Sequence, residues 1–262
     1  MAKPRQGALL LGAVVLVALG AAGGSWWATR RPAGAGGASE TSARLAAAGI
    51  RQPQRDAIEA LVRDYILSHP DILPEAMERL HTQDVAARIA AERSALETPF
   101  AGAVLGNPAG AVTLVEFTDY ACGYCRQSAS EVRALAAAHP DLRIVVRELP
   151  ILRPASDAAA RMALAAARQS RYAAFHEAMF AASRPDPASI EAAARTAGVE
   201  PAAARAFAAG SEAQAEISRN LALASRLGIN GTPAWVVGNR LLIGAVGRDR
   251  LEEAIAAARE PA

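Results

Sequence analysis

One stretch of the sequence, residues 112–128, constrains the fold most because it carries two cysteines from a buried strand pattern into a helical pattern. Residues 112–117 are β-branched and almost wholly apolar, which is typical of a strand buried on both faces of a sheet. An amphipathic helical pattern then runs to about His139. Cys122 and Cys125 therefore stand at the predicted N-terminus of a helix.

The position of the two cysteines predicts unequal roles for them. Unpaired N–H groups and the dipole at a helix N-terminus stabilise an anion, and a thiolate is such an anion. We expect Cys122, at the mouth of the helix, to be exposed and to act as the nucleophile. Cys125 lies one turn further in, where it is shielded and can attack a mixed disulfide at Cys122 as the resolving cysteine.

Other uses of a Cys-x-x-Cys pair compete with redox chemistry. A zinc site needs two more ligands, and the chain has only 2 cysteines. Its histidines are scattered singly, at His69, His81, His139 and His176. An inert disulfide would restrict the unfolded chain little because the loop is so short. Copper binding through two thiolates stays open. We predict redox function, with no resident metal and no cofactor.

Two motifs together resemble a known family. One is Cys122-Gly-Tyr-Cys125 after a strand, and the other is Gly-Thr-Pro-Ala-Trp-Val-Val at residues 231–237. The pattern is similar to the thioredoxin superfamily and most to the DsbA-type periplasmic disulfide oxidoreductases. The resemblance implies an α/β thioredoxin fold over residues 101–262, with a helical insertion at about 155–228.

The resemblance also assigns roles to individual residues. It implies a redox-active Cys122–Cys125 disulfide and a cis peptide bond at Pro233, which packs against the cysteines. The backbone of Thr232, before that proline, would pair with a bound peptide. The residues between the cysteines, Gly123 and Tyr124, would lie against the substrate and tune the redox potential.

Glu116 is the one ionisable residue in the predicted buried strand, on the same side as Val112 and Leu114. It stands six residues before Cys122, as does the buried acidic residue of the resembled family. There such a group relays protons to or from the resolving cysteine. Desolvation should raise its pKa toward neutrality, where proton exchange is efficient. We expect Glu116 to be a proton relay.

The direction of thiol exchange is set by finer features. The Gly123-Tyr124 dipeptide and Thr232 resemble those of periplasmic disulfide isomerases more than those of the strong oxidases. An isomerase or a broad-specificity oxidoreductase is therefore favoured. The alternatives are a DsbA-type dithiol oxidase and a copper-binding or metallochaperone protein that uses the same cysteines.

The N-terminal part of the chain predicts a membrane tether. Residues 1–28 hold Lys3 and Arg5 and then an uncharged run long enough to span a bilayer, which needs about 20 residues. We expect a signal-anchor, with a cleaved secretory signal as the alternative. Residues 29–50 are rich in glycine, alanine and serine and predict a flexible linker.

Residues 51–100 carry two amphipathic helical patterns separated near Pro70. They could pack on the catalytic domain, or they could associate with another copy of the chain. Residues 62–77 also resemble the N-terminal extension of a DsbA-like subgroup that includes the copper-sensitivity suppressor proteins. In some of those proteins the extension makes dimers or trimers, so this segment is a possible oligomerisation device.

These patterns predict location and partners together. The catalytic domain should face the periplasm from a single-pass inner-membrane anchor, or be secreted there if the anchor is cleaved. Its partners would be unfolded or misoxidised secreted proteins and a membrane redox partner, either a quinone-linked oxidase or a thiol-reducing transporter. Nucleic acid is excluded as a partner, since the 28 basic residues less Lys3 and Arg5 leave 26 against 26 acidic ones.

Overall fold

The computed structural model describes residues 34–259. The predicted anchor, residues 1–28, lies outside the described residues. Within the described range no helix combines the length and the apolar character needed to cross a bilayer. The chain divides into two compact units, and the boundary in the sequence lies after Pro74.

The second unit is built on a sheet of five strands in the order β1-β3-β2-β4-β5. The strands are β1 (Val104–Gly106), β2 (Val112–Thr118), β3 (Leu142–Glu148), β4 (Ala234–Val237) and β5 (Arg240–Ile243). Strands β2 and β3 are parallel, and every other pair is antiparallel. Strand β2 is central, so its C-terminal end carries the Cys-x-x-Cys segment out of the middle of the sheet.

Seven helices of this unit follow the first two strands. They are α4 (Gly123–Ala138), α5 (Pro154–Arg168), α6 (Tyr172–Ala181), α7 (Pro187–Thr196), α8 (Pro201–Ala208), α9 (Ser211–Leu227) and α10 (Arg248–Arg259). Helices α5 to α9 fill residues 154–227, the region where the sequence predicted an insertion. Their packing faces are rich in alanine, so the helices approach one another closely.

The sheet is covered on both faces, which explains why its central strands are nearly continuous apolar runs. On one face Leu114 and Val146 pack with α4, α10 and the inserted helices. On the other face Val115, Phe117 and Val145 pack against the helix α3 (Ile72–Glu97) and the C-terminal part of α9. Residues of β2 therefore alternate between two separate apolar layers.

The N-terminal region forms α1 (Gly34–Ala47), α2 (Gln52–Ser68) and α3 (Ile72–Glu97). Helix α1 corrects the prediction of a flexible linker over residues 29–50. Residues 40–47 contain no glycine or proline and include alanine, the strongest helix former, and this local preference outweighs the glycine-rich start. Helix α2 has no buried residue.

Strand β1 is an element that the sequence analysis did not predict. It is three residues long and pairs with β3, as in the Leu105–Ile144 pair. Gly106 adopts a positive φ of 69°, and a Cβ there would come within 2.7 Å of the Leu142 carbonyl oxygen. The strand ends where the chain must pass closely against β3.

Candidate active site

The two cysteines lie at the N-terminus of α4. Cys122 is the N-cap residue: its backbone is extended, with φ −81° and ψ 120°, and its Sγ accepts a hydrogen bond from the Cys125 N–H at 3.5 Å. The Arg126 N–H donates to the Cys122 carbonyl oxygen at 3.1 Å, which starts the helix. The positive end of the helix dipole therefore lies at the Cys122 sulfur.

Cys122 is more covered than the prediction of an exposed thiol required. Its exposed fraction is only 6%, and that of Cys125 is 0%. Both thiols are free, so the structure describes the dithiol form of the site. The cover comes from the segment before β4, since the Cys122 Sγ lies 3.2 Å from the Thr232 carbonyl oxygen. Both sulfurs are therefore buried, with Cys125 slightly more covered than Cys122.

The segment before β4 adopts the geometry that the resemblance implied. The Thr232–Pro233 peptide bond is cis. The Pro233 carbonyl oxygen accepts a hydrogen bond from the Gly244 N–H at 2.8 Å, which ties this segment to the end of β5. The Thr232 hydroxyl is buried and has no hydrogen-bond partner among residues 34–259. It is therefore the backbone of Thr232 that meets Cys122.

The surface beside the thiols is open on the side of the intervening dipeptide. Tyr124 is 66% exposed. A Cβ added at Gly123 or at Gly231 would meet no atom within 4 Å. The Cys-x-x-Cys loop and the loop before the cis bond thus leave room for a large ligand to approach Cys122.

Glu116 lies under the cysteines on the face of the sheet that α4 covers. It is completely buried, and neither carboxylate oxygen has a hydrogen-bond partner within the described part of the chain. Burial raises the pKa of Glu116 from 4.5 to about 8, and the neighbouring Thr118 side chain opposes this only in part. A carboxyl group with a pKa near 8 can both accept and release a proton close to neutral pH.

Cys125 and Glu116 interact electrostatically, and this interaction affects the pKa of the Cys125 thiol. Burial is the main cause that raises the pKa of the Cys125 thiol, and a negative charge on Glu116 raises it further. Cys125 therefore does not ionise by itself near neutral pH, and it needs a base to become a nucleophile. Glu116 is a buried carboxyl group whose charge acts on this thiol.

Asp119 is a positioning residue that the sequence analysis missed. Its Oδ1 accepts a hydrogen bond from the Ala121 N–H at 2.8 Å, and its Oδ2 accepts from the N–H groups of Ile151 and Leu152, each at 3.0 Å. The residue ties the Cys-x-x-Cys loop to the loop that follows β3. The available signal was a carboxylate between a strand and a Cys-x-x-Cys motif.

A second buried acid, Glu148, was also missed. It ends β3 and pairs with Thr118 in the parallel register, so it lies on the same face of the sheet as Glu116. The signal was the same as for Glu116, namely an acid within an otherwise apolar strand.

Residues 34–259 contain no group of three or more histidine, cysteine, aspartate and glutamate side chains placed to hold a metal ion.

Two parts of the chain match known protein families. Residues 113–256 match the DsbA-like thioredoxin domain, which is more than half of the chain. The chain belongs to the DsbA-like thioredoxin family. Residues 54–87 match a second family, the copper resistance protein ScsC N-terminal domain. This DsbA-like protein therefore joins a catalytic domain and an N-terminal segment that are each similar to a described family.

Solved structures agree with the family. A thioredoxin-like oxidoreductase from Silicibacter pomeroyi is 44% identical, with a TM-score of 0.59 over 61% of this chain and 92% of that one. A linker-deletion mutant of Proteus mirabilis ScsC is 29% identical, with a TM-score of 0.64 over 79% and 96% of the two chains. A periplasmic thioredoxin-like protein from Salmonella enterica serovar Typhimurium is 31% identical, with a TM-score of 0.59 over 63% and 94%. The family and these relatives support a protein-disulfide oxidoreductase.

A curated relative is much longer than the matched region. A Na(+)/H(+) antiporter, NhaA 3 of Salinispora tropica, is 28% identical over 158 residues, which are 59% of this chain. The match spans only 24% of the antiporter, so the chain corresponds to about a quarter of that relative. The antiporter's activity is not carried over to this protein.

Proposed function

We propose that the protein exchanges disulfides with the cysteines of extracytoplasmic proteins, with Cys122 as nucleophile, Cys125 as resolving cysteine and Glu116 as proton relay. The observation that carries the proposal is the Cys122 Sγ at the helix N-terminus, 3.2 Å from the Thr232 carbonyl oxygen. A nucleophilic sulfur and a backbone that can pair with a peptide thus lie in contact.

Each chemical step can be assigned to atoms of the site. The Cys122 thiolate attacks a substrate disulfide; one substrate sulfur becomes bonded to Cys122, and the other leaves as a thiolate and takes up a proton. Cys125 then transfers its proton to Glu116 and attacks the Cys122 Sγ. The bond to the substrate breaks, the substrate is released as a thiol, and a Cys122–Cys125 disulfide forms. The same steps in reverse oxidise a substrate dithiol.

Substrate binding would use the residues around the Cys122 sulfur. Backbone groups next to the cis bond between Thr232 and Pro233 would pair with an extended peptide, in the manner of an added strand. Gly123 and Tyr124 would line the other side of the bound cysteine. The openness of this side, with no atom near a Cβ at Gly123, supports the assignment.

We propose isomerisation or broad-specificity exchange as the preferred reaction. In isomerisation the protein attacks a wrong disulfide, and another cysteine of the same substrate displaces Cys122, so no net oxidation occurs. The Gly123-Tyr124 dipeptide and Thr232 support this preference through their resemblance to the disulfide isomerases. A dithiol oxidase remains the alternative.

The helical segment at residues 51–100 is proposed to assemble the protein into an oligomer. In α2 one helical stripe carries large apolar side chains that are about half exposed or more, at Ile58, Leu61, Val62 and Tyr65. Their spacing places them on one face of the helix. A second copy of this stripe is the occupant we propose, because the match to an ScsC N-terminal domain covers the same residues.

The proposed location is the periplasm, with residues 1–28 as a membrane anchor or as a signal that is removed. The periplasmic relative from Salmonella supports this location. The partners would be misoxidised or unfolded secreted proteins. A thiol-reducing transporter would recycle an isomerase, whereas a quinone-linked membrane oxidase would recycle a dithiol oxidase.

The test is reactivation of scrambled ribonuclease by the full-length protein in mild detergent, with its mass measured by light scattering. We expect efficient rescue by an oligomer and no rescue by Cys122→Ser. Rapid oxidation of reduced substrate by a monomer, with little rescue, would establish the oxidase instead. Absence of both activities would contradict the proposed function.

The role of α2 is tested with two matched charge variants. Leu61→Glu places a carboxylate in the apolar stripe, and Arg63→Glu places one on the opposite side of the same helix, where Arg63 is exposed. We expect Leu61→Glu to yield monomers that still react with small disulfides but rescue ribonuclease poorly. Arg63→Glu should keep the oligomer, and equal masses for all three proteins would refute the assembly role.

A further inference from the structure

Glu148 lies at the centre of a buried polar cluster that the proposed steps do not use. Its Oε1 accepts hydrogen bonds from the Tyr172 hydroxyl at 2.7 Å and from the Tyr120 hydroxyl at 3.1 Å. The Tyr120 hydroxyl also lies 3.2 Å from His176 Nδ1. All four side chains are buried, and we refer to them as the Glu148 network.

The hydrogen bonds of the Glu148 network have one direction. Burial raises the pKa of both tyrosines well above 10, so Tyr120 and Tyr172 stay protonated and donate to the carboxylate. Burial also lowers the pKa of His176 to about 3, so its imidazole is neutral. Because the Tyr120 proton goes to Glu148, the Nδ1–H of His176 donates to the Tyr120 oxygen. Both tyrosine hydroxyls thus donate to one carboxylate, that of Glu148.

The acid at the centre holds one unused position for a proton. The Oε2 of Glu148 is buried and has no hydrogen-bond partner in the described part of the chain. Burial raises the pKa of Glu148 to about 8, the two tyrosine hydroxyls lower it, and the charges of Asp119 and Glu116 raise it again. The carboxyl group can therefore bind or release a proton in the pH range in which Glu116 does so.

The groups that face Glu148 come from every neighbouring element. Strand β2 and the loop after it contribute Glu116, Asp119 and Tyr120, and α6 contributes Tyr172 and, through Tyr120, His176. Helix α9 donates a hydrogen bond from Asn220 to the main-chain carbonyl of Glu148 at 3.2 Å. The neighbouring Arg147 pairs with Glu216 on the opposite face of the sheet. No cation therefore faces Glu148 from the described residues.

We propose that Glu148 is a positioning residue for proton transfer, which shares one proton with Glu116 and thereby sets when Glu116 can accept the proton of Cys125. The two acids lie on one face of adjacent parallel strands, two residues apart in register, since Thr118 pairs with Glu148. The two tyrosine hydroxyls favour the ionised form of Glu148, so the shared proton lies on Glu116 until Glu148 takes it up and leaves Glu116 able to act as a base. Two negative charges this close together in a buried site are disfavoured, so the acids titrate as a pair.

The size of the coupling follows from the strand geometry. Adjacent strands lie about 4.8 Å apart and two residues of a parallel strand span about 6.6 Å, so the Cβ atoms of the two acids lie roughly 8 Å apart. At an effective dielectric constant of about 20, a unit charge at that distance separates the two proton steps by about 1.5 pH units. The base that serves Cys125 should therefore titrate over a wider pH range than a single carboxyl group.

This inference rests on the proposed resolving role of Cys125, and a two-phase reaction tests it in the full chain. In an excess of the aromatic disulfide dithiobis(nitrobenzoate), the Cys122 thiolate displaces one thionitrobenzoate and forms a mixed disulfide with the other. Cys125 then loses its proton, attacks the Cys122 Sγ and releases a second thionitrobenzoate. The second phase, followed by absorbance from pH 5 to pH 10, reports the base that serves Cys125.

We expect the wild-type second phase to follow two proton steps, and Glu148→Gln to follow a single one-proton step with a lower midpoint. The first phase, which involves only Cys122, should not change. Glu177→Gln alters an exposed acid of α6 and is the matched control, with a wild-type profile expected. A folded Glu148→Gln protein with the wild-type pH profile would overturn the inference.

Tyr172→Phe gives a second, independent test that keeps the net charge of the site. It removes the 2.7 Å hydrogen bond to Glu148, so the upper proton step should move to higher pH. If Glu148→Gln does not fold, an unchanged profile for Tyr172→Phe overturns the inference by itself. A protein that shows both phases but exchanges no disulfide with a protein substrate would refute the proposed function and leave this inference standing.

Discussion

Because the Glu116 carboxyl group is buried, we expect the folding stability of the protein to depend on pH. We expect a single substitution, Glu116→Gln, to remove this part of the pH dependence. The pKa of Glu116 rises from 4.5 to about 8 on burial, so the folded state holds a proton that the unfolded state releases. The stability is complete below pH 4.5 and is lost as the pH rises toward 8. Glu116→Gln stays neutral at every pH and should not show this loss.

The magnitude follows from the two pKa values. The linkage relation gives a stability loss from Glu116 of about 1 kcal/mol at pH 5 and about 3 kcal/mol at pH 7, as an order of magnitude. The stability of Glu116→Gln relative to the wild type should therefore increase by roughly 2 kcal/mol between these pH values. The coupling to Glu148 spreads the change over a wider pH range without altering its sign.

The assay is urea unfolding of the reduced protein at pH 5, 6 and 7, followed by circular dichroism for the wild type and Glu116→Gln. Reduced thiols keep both proteins in the same redox state. Asp157→Asn is a suitable control because this acid pairs with Arg161 at the surface, and the substitution should not change the slope with pH. A stability difference between Glu116→Gln and the wild type that stays constant from pH 5 to pH 7 would refute the buried, raised pKa.

Three further predictions follow from the structure. Cys125→Ser should accumulate mixed disulfides between Cys122 and substrates, visible on non-reducing gels; a rate of substrate release equal to the wild type would contradict the resolving role. Thr232→Val removes a buried hydroxyl that has no hydrogen-bond partner among residues 34–259, so stability should hold or rise by about 1 kcal/mol, while ribonuclease rescue should stay near the wild-type level because the Thr232 backbone is what meets Cys122; a clear loss of rescue would assign the side chain a role in specificity. Arg147→Met should cost about 3 kcal/mol in urea unfolding, because it removes the buried partner of Glu216 and the donor to the Leu96 and Thr98 carbonyl oxygens; Glu216 keeps its pair with the exposed Arg219, and Arg219→Met should cost less than about 1 kcal/mol.

The sequence predicted most of what depends on local pattern. Residues 112–117 and the helix after Cys122 were recognised because apolar periodicity and the Cys-x-x-Cys spacing occur within one short stretch. Strand β1 was missed because three residues carry no periodicity, and it exists only through its pairing with β3. Helix α1 was missed because its glycine-rich start hides the alanine-rich half that follows.

The site was predicted unevenly for the same reason. Cys122, Cys125 and Glu116 follow from the motif and its strand, but the cover over Cys122 comes from Thr232, 110 residues away in the sequence. The partners of Glu148 likewise come from α6 and from the loop after β2. A side chain's burial is fixed by such distant contacts, so the sequence pattern alone predicted an exposed Cys122 thiol.

Two successive residues of β3, Arg147 and Glu148, place their charged side chains on opposite faces of the sheet and in different surroundings. Arg147 points to one face, where it donates to Glu216 and to the carbonyl oxygens of Leu96 and Thr98 at the end of α3. Its two terminal nitrogens are hydrogen-bonded there, although its Nε has no partner among the described residues, and the side chain fixes the helix to the sheet. Glu148 points to the other face and keeps one oxygen unpaired, as Glu116 does with both. Buried acids without cations are costly to ionise, and this cost raises the pKa of Glu116 and the pKa of Glu148 to about 8. The unpaired oxygens therefore lie on the face of the sheet that carries the cysteines.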